Sequence, residues 1–149
     1  MAITSSAVCN TFKNELLGND IHNFDQTSGD HYYLAMYIST AVIGKSTSDY
    51  LTGGETSNDA GSAYSPGGKL LAVAGQTHKL SNDTAIVDWT NLSWQTATVT
   101  ARGALIYNKS AALKAGAVLD FGGDKTATAG TFTIQFPNFT DTLAILRIA

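Results

Sequence analysis

Between Ala97 and Phe136 apolar and polar residues alternate over long runs, and this pattern restricts the chain to sheet more than any other feature does. In TATVTARGALIYN, Val99, Ala101, Gly103, Leu105 and Tyr107 fall on one face. Thr98, Thr100, Arg102, Ala104, Ile106 and Asn108 fall on the other. In AGAVLDFGG, Ala117, Leu119 and Phe121 alternate with Val118 and Asp120. In GTFTIQF, Phe132, Ile134 and Phe136 alternate with Thr131, Thr133 and Gln135. Period-two alternation with β-branched and aromatic residues marks strands that hold one face against a core. The stretch therefore predicts three strands. The polar connections Asn108–Gly116 and Gly122–Gly130 are expected to be hairpin loops longer than a two-residue turn.

The rest of the chain extends the same reading. At 149 residues a single domain with a real core is expected. Only 14% of residues are charged against 44% hydrophobic, which argues against a disordered chain. Ser5 or Ser6 is placed to cap a helix over Ala7–Leu17, with Val8, Phe12 and Leu16 on one face and Gly18 at its stop. His31–Thr40 predicts a central strand with two fairly apolar faces. Ile43–Gly68 reads as a long loop, Lys69–Ala74 as a short buried strand, and Gln76–Leu80 as its continuation past a bulge at Gly75. Ser81-Asn82-Asp83 reads as a turn, Thr84–Trp89 as a strand, Asn91–Trp94 as a crossing segment and Leu143–Ile148 as a closing strand. About seven or eight strands at regular spacing predict an all-β, two-sheet antiparallel sandwich, jelly-roll-like, with a short N-terminal helix. The expected core comprises Leu34, Met36, Leu71, Val87, Val99, Leu105, Leu119, Phe132, Ile134 and Ile145.

The motifs carry little chemistry. Net charge is −3 and no basic run occurs, which disfavours nucleic-acid binding. The single Cys9 excludes an intrachain disulfide and a Cys-based zinc cluster. The N-terminus lacks the pattern of a secretory signal, and no window is apolar enough to span a membrane. Asp20, His22, Asp25, Asp30 and His31 match no calcium or zinc spacing and read as a solvated turn. Asp120-Phe121-Gly122 lacks every companion motif of a kinase, and GGDK is a turn rather than a phosphate loop. No GxSxG elbow occurs. No catalytic residue, cofactor or metal is assigned, and the chain is read as non-enzymatic. Trp89 and Trp94 read as core, whereas Tyr32, Tyr33 and Tyr37 leave open a sugar-binding platform.

With TFKNELL, YLAMYIST, YSPGGKLL, AIVDWTNLSWQTATVTARGALIYN, LDFGGDK and TFTIQF on the page, the chain resembles a family of small virion proteins of tailed bacteriophages, over Phe12 to Ile148. The resemblance implies a virion structural protein, placed best as a capsid decoration (cement) protein on the capsid surface. Its implied partners are the major capsid protein and further copies of itself, with no membrane or nucleic acid. A carbohydrate- or receptor-binding module using Tyr32, Tyr33, Tyr37 or Tyr64, or a tail or neck protein, is the alternative. Docking is expected through the N-terminal segment around Val8, Phe12 and Leu16 and the long loop around Tyr50, Leu51 and Tyr64, where apolar side chains sit in polar surroundings.

Overall fold

The computed structural model describes residues 3–18, 21–25, 27–57, 62–71 and 77–149. Within them the elements run β1 (Ala7–Val8), α1 (Asn10–Leu16), β2 (Tyr32–Tyr37), β3 (Lys69–Leu70), β4 (Thr77–Ser81), β5 (Thr84–Asp88), β6 (Leu92–Asn108), β7 (Lys114–Ile134) and β8 (Leu146–Ile148). They form a five-stranded sheet in the order β1-β7-β6-β2-β3 and a three-stranded sheet in the order β4-β5-β8. Every pairing is antiparallel. The chain is thus an all-β two-sheet sandwich with one short helix.

The alternating stretch becomes two long strands rather than three. β6 begins at Leu92, so the segment expected to cross between strands is already paired, Leu92 with Ile134 and Trp94 with Phe132. β7 continues through the expected loop at Gly122–Gly130 without reversing. The turn residues there produce a bulge. While β6 advances from Ala101 to Gly103, β7 runs back from Lys125 to Asp120. Gly122, at φ 75°, absorbs the distortion. Asp120 Oδ1 fixes it by accepting from Arg102 Nε at 3.0 Å and from the Gly122 N–H at 2.9 Å. Ala129, at φ 47°, sits at a separate irregularity beside the Ala97–Gly130 pair. A reversal needs a free strand to pair back onto, and β6 already occupies that edge. The true turn lies at Lys109–Leu113, inside the first expected loop.

The N-terminal helix is shorter than its periodicity predicts. Ala7 and Val8 pair with Val118 and Ala117 on the edge of β7. Cys9 is the N-cap and no side chain caps the helix, so neither Ser5 nor Ser6 serves. Ser6 Oγ instead accepts from the Asp120 N–H at 2.8 Å. The closing strand is also shorter, starting at Leu146, after Leu143 has hydrogen-bonded back to Thr140 in a turn. The expected bulge at Gly75 and the end of the Lys69–Ala74 strand lie outside the described residues.

Leu34, Met36, Leu71, Val99, Leu105, Phe132 and Ile134 are buried as expected, together with Trp89 and Trp94. Val87, Leu119 and Ile145 are half-buried and pack against that core. Gly68, at φ 71°, sits so close to β2 that a Cβ would lie 1.8 Å from the Leu34 carbonyl oxygen, so only glycine fits there. Phe132 packs against Trp94 and Phe121. Phe132→Ala should cost about 3–5 kcal/mol, measured by denaturant unfolding.

Candidate docking surface

The groups most able to do chemistry hold the fold together. His22, whose side chain is fully buried, meets Glu15 Oε2 at 2.7 Å and packs with its ring tilted against that of Phe12, 4.5 Å between centres. Asn108, also fully buried, donates through Nδ2 to Asp30 Oδ2 at 2.7 Å and to the Ile21 carbonyl at 3.2 Å. Its Oδ1 accepts from the N–H groups of Ser110 and Ala111 and closes the β6–β7 turn. Asp25 caps its own turn by accepting from the N–H groups of Thr27 and Ser28, which lowers its pKa. The stretch read as a solvated turn is therefore tied to α1 and β6 by buried polar contacts, with Asp20 outside the described residues. Among the described residues no three His, Cys, Asp or Glu side chains are grouped to hold a metal. Cys9 is fully buried, and burial, reinforced by Glu15, pushes its thiol up to about 11, so it stays protonated at neutral pH.

The long loop is equally committed. Glu55 accepts from Tyr50 OH and Tyr64 OH, each at 2.5 Å, and from the Gly67 N–H at 2.7 Å. Tyr64 OH also accepts from the Met36 N–H at 2.9 Å. Tyr37 OH donates to the Leu51 carbonyl and Tyr107 OH to the Gly67 carbonyl, so four tyrosines and one glutamate staple the loop to β2 and β6. Burial, then the Glu55 carboxylate, raises the Tyr37 and Tyr107 phenols, the latter to about 12.

These contacts divide the expected docking residues. Tyr64 is fully buried, Phe12 is buried, and Tyr50 is half-buried with its ring stacked 4.7 Å from that of Tyr107. Tyr64 and Phe12 thus lie in the interior rather than on a mobile surface. Val8 and Leu16 are half-buried, and Leu51 is exposed. Of the open tyrosine face, Tyr32 and Tyr37 are buried, while Tyr33 is half-buried under the Lys109 ammonium at 4.3 Å.

Val8 and Leu16 reach the surface in one place, an apolar groove of about 650 Å³ between α1 and the three-stranded sheet. Leu17, Leu80 and Ile148 line it and are 91%, 73% and 59% exposed. Sequence reasoning passed over all three. The adjacent Leu16-Leu17 pair was a usable signal, because one helix cannot turn both toward the same core. A smaller apolar area carries Val42 and Leu51 beside Thr52 and Gly53. No described helix is long and apolar enough to cross a membrane. No protein-family model, curated protein or solved structure matches the chain.

Two outcomes test these assignments. Tyr64→Phe removes a donor from Glu55 and an acceptor from Met36, and should lower unfolding stability by about 1–3 kcal/mol in denaturant melts. Asp88 is buried, and desolvation raises its pKa against the pull of the Trp89 N–H on Oδ1. A carboxyl raised in the folded state favours folding most below its unfolded pKa, and this contribution is lost as pH rises through the folded value. Asp88→Asn keeps the acceptor for Trp89. It should stabilise the protein at neutral pH relative to wild type, measured by denaturant unfolding, and the difference should shrink on acidification.

Proposed function

We propose that the chain is a non-enzymatic structural protein of a tailed-bacteriophage virion, a decoration protein that binds and stabilises the shell of major capsid protein. The sequence resemblance supplies the class. The structural observation that supports a binding role is the open groove, where Leu17, Leu80 and Ile148 expose apolar surface that burial against a partner would stabilise. Cys9, His22 and Glu55, the side chains best suited to catalysis, are engaged in holding the fold. The carbohydrate-binding alternative loses support from the interior positions of Tyr32, Tyr37 and Tyr64, which leave Tyr33 alone of that set near the surface.

Each apolar side chain fully buried at a shell contact contributes roughly 1.5–3 kcal/mol before ordering costs. Repetition over neighbouring copies adds avidity. Attachment of this kind should survive salt, because screening acts on exposed charge pairs. Electron microscopy of purified particles should find density for this chain on the outer face of the shell. The protein should remain bound through about 1 M salt, where the screening length is about 3 Å. Release by moderate salt, or density only at the tail or neck, would contradict the proposal.

A further inference from the structure

We draw no further inference here: the strongest candidate, the apolar groove between α1 and the β4-β5-β8 sheet where Leu17, Leu80 and Ile148 are exposed, carries none, because nothing in the structure shows what covers it.

Discussion

The pairing of β6 with β7 is the constraint on which the rest of this protein depends. β7 offers its outer edge to the N-terminal residues Ala7 and Val8, and β6 offers its other edge to β2. Every strand of the larger sheet is thus attached, directly or through β2, to this hairpin. Local bulges keep two strands of unequal length in register, and the Asp120 carboxylate holds the largest of them to Arg102 and Gly122. A chain low in charge and rich in Thr and Gly suits such an arrangement, since backbone hydrogen bonds carry the ladder while small side chains tolerate the irregular backbone.

A second layer of organisation is polar. Glu55 and Asn108 are hubs at opposite ends of β2, one gathering tyrosines and the Gly67 amide, the other gathering the 21–30 segment and the β6–β7 turn. Long segments without secondary structure carry many backbone groups that need partners. Here a few buried side chains meet that need, which explains how the described residues on either side of 58–61 lie against the sheet, with Thr56 buried and its N–H bonded to the Met36 carbonyl. The same networks take up groups that a sequence scan weighs for catalysis, and each has an evident structural task.

What these networks leave over is the small sheet. Three short strands face the helix with an apolar row that the chain covers at one end only. Exposed apolar surface of this extent is costly in an isolated domain, and it gains meaning when a partner covers it. The functional proposal starts from that incomplete burial.

Residue periodicity by itself determined that this chain is an all-β sandwich, that Leu34, Met36, Val99, Leu105 and Phe132 are interior, and that a short helix lies near the N-terminus, because the period of side-chain direction is a local property of the backbone. Turn chemistry at Gly122–Gly130 was also legible, yet its outcome was not. Glycine and polar residues license a local departure from the strand, and only the partner strand decides between a bulge and a reversal. Tyr64 and Phe12 looked like docking residues because their neighbours in sequence are polar, but burial depends on neighbours in space. The tertiary structure decided that Glu55 draws Tyr64 inward, that His22 and Glu15 close over Phe12, and that Leu17, Leu80 and Ile148, distant in the chain, share one open face. No sequence period relates those three leucine and isoleucine positions, since they meet only through the packing of a helix end against the edge of a second sheet.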